Sequence, residues 1–135
     1  LEAVDYTTAQ MRADVARLLR DYQHLATCYT DPIISSGTYY GLRPEGAGQA
    51  QVLAFVRSTS EGLYLVVANF APTTTEVTLP FSADFFATTG HQEGTAYRAT
   101  ERMTEAVDYL CLIPLAPLRF TLTPHALKVY RLTAV

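Results

Sequence analysis

The chain has 135 residues, 49% of them hydrophobic and 17% charged, with a formal charge of −3; these values describe a globular chain long enough to bury one compact core, not a disordered segment. No run of Lys or Arg forms a stripe, so neither nucleic acid nor an anionic membrane surface is expected as a partner. No apolar stretch reaches membrane-spanning length, and the opening LEAVDYTTAQ lacks the basic flank and apolar centre of a signal peptide. The chain begins with Leu1, a start open to a processed protein and to a fragment alike, and the compartment stays unassigned.

The first segment reads as a helix. In TTAQMRADVARLLRDYQHLATCYT, Met11, Val15, Leu18, Leu19, Tyr22, Leu25 and Ala26 recur at spacings of three and four, while Arg12, Asp14, Arg17, Arg20, Asp21 and Gln23 fall largely opposite. Thr7 or Thr8 can cap its start, and Asp31-Pro32 ends the pattern, because a residue before proline resists helical angles. One face is apolar and needs a surface to cover it.

After Ser35-Ser36-Gly37 the period becomes strand-like. GTYYGL is short and aromatic, and QVLAFVRS is rich in β-formers. GLYLVVANF is almost continuously apolar, as expected of a central strand covered on both faces. TTTEVTLP alternates, with Thr75, Val77 and Leu79 on one side, and the short link APT predicts an antiparallel hairpin with the preceding strand. Between Phe81 and Tyr109, Phe85 and Phe86 are candidate core residues, GHQEG a loop and AYRAT a strand. YLCLIPL, LRFTLTP and HALKVYRLTAV complete the set, with Pro114 and Pro117 suited to strand ends. The expected fold is mainly β: an antiparallel Greek-key sandwich of about eight strands preceded by one amphipathic helix. The helix and connector would occupy residues 1–34 and the sandwich residues 35–135.

Catalytic chemistry finds little footing. His24 lies on the helix, His91 in the Gly-flanked loop and His125 in a turn, and none has a local Ser or Cys with an acid beside it. Asp5, Asp14 and Asp21 are spread around the helix; Glu101, Glu105 and Asp108 cluster in TERMTEAVD, which reads as a solvated loop without the oxygen-rich spacing of a calcium site. Cys28 and Cys111 read as a pair of buried free thiols in preference to one disulfide, and neither has a CxxC partner or a histidine at zinc spacing. No metal, cofactor or catalytic residue is expected. Sugar binding on a sandwich would use exposed aromatic rings; the chain has no Trp, and Tyr39, Tyr40, Tyr64 and Tyr97 are the candidates to present one.

The order of the segments resembles the carboxy-terminal end of α-amylase family glycoside hydrolases. MRADVARLLRDYQHLATCYTDPII is similar to the last helix of the family's (β/α)8 barrel. SSGTYYGL, then VLAFVRSTSEGLYLVVANFAPTTTEVTLP with its Asn69-Phe70 step, and finally LRFTLTPHALKVYRL resemble the all-β domain C that follows it. The likeness covers roughly residues 10–80 and 118–133. It implies a domain that lacks the family's two catalytic Asp residues and its Glu, all of which belong to the barrel. The implied function is a non-catalytic accessory domain of an α-amylase-like hydrolase acting on α-glucans, stabilising the barrel of the same polypeptide. Two other readings are a carbohydrate-binding module for α-glucan and a free-standing protein-binding adaptor. An isolated chain is expected to fold its helix back on the sheet or to dimerise through it.

Overall fold

The computed structural model describes residues 16, 19–21, 23, 24, 26–46 and 48–135. Several of the helix positions named above, Met11, Val15, Leu18, Tyr22 and Leu25 with the Thr7 and Thr8 caps, lie outside the described residues. Those described between residues 16 and 28 are helical and end in a turn at Tyr29 and Thr30. Asp31 stops this helix and starts another: its carboxylate accepts from the Ile33 amide at the head of the short helix Pro32–Ser35. Proline suits that first turn, where its missing N–H would have no partner in any case.

Eight strands follow: β1 (Thr38–Gly41), β2 (Val52–Thr59), β3 (Gly62–Asn69), β4 (Thr75–Leu79), β5 (Ala96–Glu101), β6 (Ala106–Cys111), β7 (Leu118–Leu122) and β8 (Leu127–Ala134). Six form one sheet in the order β1-β2-β3-β8-β5-β6, and β4 pairs with β7 in a second, smaller one. Every pairing is antiparallel. The mainly β, two-layer arrangement is the one expected, with the last strand returning to the middle of the large sheet.

The core lies between the layers. Val56, Leu65, Val67 and Leu132 of the large sheet meet Val77, Leu79 and Leu122 of the small one. Phe81, Phe85 and Phe86 join this core through edge-on ring contacts. Alternation along β3 explains its unbroken apolar run: Leu63, Leu65 and Val67 face the small sheet, while Tyr64 packs on the other side with Cys28, Ile33, Ile34 and Val129. The large sheet is therefore covered on both faces at its centre, by the small sheet on one side and by the end of the leading helix on the other.

Two local expectations are corrected. β3 and β4 do not form a hairpin, because β3 pairs with β2 and β8 whereas β4 pairs with β7. The link between them is a corner from one layer to the other, and Asn69 builds it. This side chain is 2% exposed. Its Oδ1 accepts from the Ala71 amide at 3.0 Å, and its Nδ2 donates toward the carbonyls of Thr73, Leu122 and Thr123 at 3.2, 3.4 and 3.0 Å. The second correction is a helix at Ala83–Thr89, capped by Ser82 accepting from the Phe85 amide and closed by Gly90 at φ 76°. Left-handed angles of that kind favour glycine.

Candidate functional site

The polar groups best organised in the fold sit on the helix-bearing face of the large sheet. Asp31 Oδ2 accepts from the Tyr64 hydroxyl at 2.9 Å and from Arg131 Nε at 2.8 Å. Arg102 Nη1 donates to the Tyr64 oxygen at 2.9 Å, and Arg102 Nε reaches Glu105 at 3.3 Å. Burial pushes the Asp31 carboxyl up, but hydrogen bonds from Arg131, the Ile33 amide and Tyr64 together outweigh it and hold it below the usual carboxylate range. Burial, reinforced by the bond to Asp31, pushes the Tyr64 hydroxyl up to about 12. Both groups thus keep their forms, carboxylate and neutral phenol, across the middle pH range. The network is a clasp that ties the turn after the leading helix to β3, β8 and the end of β5. It contains no nucleophile with a base beside it.

Around the clasp the same face is uncovered. Pairing registers put Tyr39 opposite Arg57 and Arg57 opposite Tyr64, and put Val107 opposite Thr100 and Thr100 opposite Arg131. Tyr39, Leu53 and Phe55 therefore share this face at one edge of the sheet, and Val107 and Tyr109 at the other. Tyr39, Leu53, Val107 and Tyr109 are exposed, as are Tyr29 in the turn after the leading helix and Leu19 on that helix, the last 57% exposed. A groove of about 210 Å³ runs between Tyr29, Tyr39, Phe55 and Val66. Arg57 borders it with a buried Nε that has no hydrogen-bond partner among the described residues, an arrangement that a docked acceptor would complete.

The tyrosines proposed from the sequence divide. Tyr64 and Tyr97 are 0% and 1% exposed, so neither can offer a ring to a sugar; Tyr64 lies under the leading helix on β3, a strand covered on both faces, and Tyr97 points from β5 into the core between the layers. The Tyr97 hydroxyl instead hydrogen-bonds with His91 Nδ1 at 2.8 Å, while His91 Nε2 donates to the Thr59 carbonyl, an obligate acceptor, at 2.9 Å. Tyr40 is half-buried, edge-on to Phe85, with its hydroxyl on Asp84 at 2.8 Å. Only Tyr39 of the four is open, 56% exposed and stacked on Phe55 with ring centroids 5.5 Å apart.

The acidic group in TERMTEAVD is not one solvated loop. Glu101 is buried, and its carboxylate accepts from the Val129 amide at 2.8 Å and from the Thr104 amide and hydroxyl at 3.0 and 3.1 Å. Glu105 pairs with Arg102, and Asp108 stands apart on β6. Both thiols are free, but only Cys28 is buried; Cys111 is exposed because β6 is an edge strand. Among the described residues, no three His, Cys, Asp or Glu side chains gather into a metal-binding group. The clasp partners Arg102 and Arg131 carried no signal in the sequence, since each reaches its partner from 38 and 100 positions away.

No family model and no curated protein sequence matches the chain. Its fold is similar to part of the noncanonic maltogenic alpha-amylase AmyB from Thermotoga neapolitana, with a TM-score of 0.58 and 16% identity over 79% of this chain. It is also similar to part of the trehalulose synthase MutB, with a TM-score of 0.51 and 21% identity over 83% of this chain. The chain spans only 23% and 17% of those two proteins. At such identities the likeness is one of fold.

Proposed function

We propose that this chain is the carboxy-terminal accessory domain of an α-amylase-like glycoside hydrolase acting on α-glucans, with residues 1–34 as the last barrel helix and connector and residues 35–135 as domain C. It carries no catalytic residue of its own and stabilises the barrel of the same polypeptide by docking through the helix-bearing face. The observation that carries this reading is the state of that face. A polar clasp fixes the helix end to the sheet, and beside it Tyr39, Leu53, Val107 and Tyr109 remain exposed, a distribution typical of an interaction surface. Support also comes from the fold: the two enzymes it resembles are named for chemistry on sugars, and this chain matches less than a quarter of each.

Hydrogen exchange of the native polypeptide, compared with the isolated chain, tests the docking. Added protection at β1, β2 and β6 in the native protein is the expected result. Equal exchange at those strands would rule out a docked face.

A further inference from the structure

The other face of the same sheet carries a cleft of its own. A strand sends alternate side chains to opposite sides, so β8, which turns Val129 toward the leading helix, turns Lys128 and Tyr130 away from it. There the small two-stranded sheet covers only part of the large one, and a cleft of about 360 Å³ opens between them, within the range of about 300–1,000 Å³ usual for small-molecule sites. Its floor is Leu65 and Leu110. Phe120 and Tyr130 form a wall, with ring centroids 5.9 Å apart and planes tilted by 46°. Asp108, Arg119 and Lys128 stand at the rim. The ion pairs among the described residues, Arg102 with Glu105 and Arg131 with Asp31, use none of these three charges.

That combination selects a ligand chemistry. A purely apolar ligand would leave three charged groups unmatched, and a compact anion would gain nothing from the aromatic wall while meeting Asp108. A pyranose ring has one apolar C–H face and a rim of hydroxyls that both donate and accept. We propose that the cleft binds a neutral saccharide, the ring lying against Phe120 and Tyr130, with hydroxyls donating to Asp108 and accepting from Arg119 and Lys128. Burial first, then the nearby Glu101 and Asp108 charges, pushes the Tyr130 hydroxyl up, so it stays a neutral donor for the same ligand. The site lies on the face opposite the proposed docking surface, so the two proposals stand or fall separately.

The test is a titration of the isotopically labelled 135-residue chain with maltoheptaose and, in parallel, with glucose 6-phosphate, followed by amide chemical shifts. Saturable shifts at Asp108, Phe120 and Tyr130 with the neutral sugar are expected. Asp108→Ala, at an exposed position, should weaken binding roughly tenfold, the scale of one lost hydrogen bond to a charged group. Phe120→Leu, which keeps the position apolar, should weaken it as well. The proposal is overturned by shifts centred on Tyr39 and Phe55, by unchanged affinity in both variants, by tighter binding of the phosphate, or by no saturable shift up to the solubility of the sugar.

Discussion

The Tyr64 hydroxyl donates to Asp31 Oδ2 across 2.9 Å, joining residues 33 positions apart and fixing the turn after the leading helix to the central strand. Removing only the hydroxyl isolates the effect: Tyr64→Phe keeps the ring in its buried place and leaves Asp31 and Arg102 each one partner short. The expected loss is about 1–3 kcal/mol, the usual cost of stranding buried polar groups. Urea denaturation reads it as a lower midpoint at constant slope. An unchanged midpoint would mean that the clasp adds no stability.

Acid and alkali should weaken the clasp from opposite sides. Asp31 is held below its ordinary value on folding, so its contribution is present above the unfolded value near pH 4 and is lost as pH falls through the lower folded value. The advantage of the wild type over Asp31→Asn should therefore hold at neutral pH and shrink below about pH 4. Tyr64 is raised from 10.0 to about 12. A raised group contributes fully below its unfolded value, so stability should decline as pH rises through that window. Tyr64→Phe should lack this part of the alkaline decline, keeping the part due to the raised hydroxyls of Tyr97 and Tyr130. Thermal melts across the pH range measure both arms.

Asn69 holds the corner where the chain changes sheets, and one side chain serves four backbone groups there. Asn69→Ala strands those groups in a buried place and should cost roughly 3 kcal/mol. Equilibrium unfolding checks it; a loss below about 1 kcal/mol, the ordinary value of a single hydrogen bond, would contradict the assignment of the corner to this residue.

The two thiols should react unequally. Cys111 is exposed on an edge strand. Burial raises the Cys28 thiol, against the opposing pull of Arg102, and a buried thiol poor in thiolate alkylates slowly. Iodoacetamide followed by peptide mass analysis should find Cys111 modified first, with Cys28 following only on unfolding. Equal rates would place Cys28 in solvent.

Exposure of the helix-bearing face should make the isolated chain self-associate. Sedimentation velocity is expected to show a dimer, shifted to monomer by Tyr39→Glu with Leu53→Glu, both at exposed positions. A wild-type monomer at high concentration would remove the dimer from the account.

Much of this fold was legible along the chain. The alternation in TTTEVTLP marks β4, the unbroken apolar run of GLYLVVANF marks a strand covered on both faces, and Phe85 and Phe86 are buried as their neighbourhood suggests. The short link APT misled, because link length does not reveal that Asn69 bonds to carbonyls of the segment around Thr123 and so turns the chain into the other sheet. The helix at Ala83–Thr89 has a Ser cap and a Gly stop in sequence, yet its seven residues are too few for a clear period. Tyr64 and Tyr97 were candidate sugar platforms because burial depends on which layer covers a strand, and only the assembled sheets decide that. The clasp and the interlayer cleft were hidden for the same reason: each draws the members named above from four separate stretches of chain.

The central claim is that this domain belongs to a larger hydrolase, and the mass of the native polypeptide tests it most directly. An antibody to this domain, applied to an extract of the source cells, should detect a protein larger by at least a barrel of about 250 residues. A native protein near the 14.9 kDa of this chain would contradict the account.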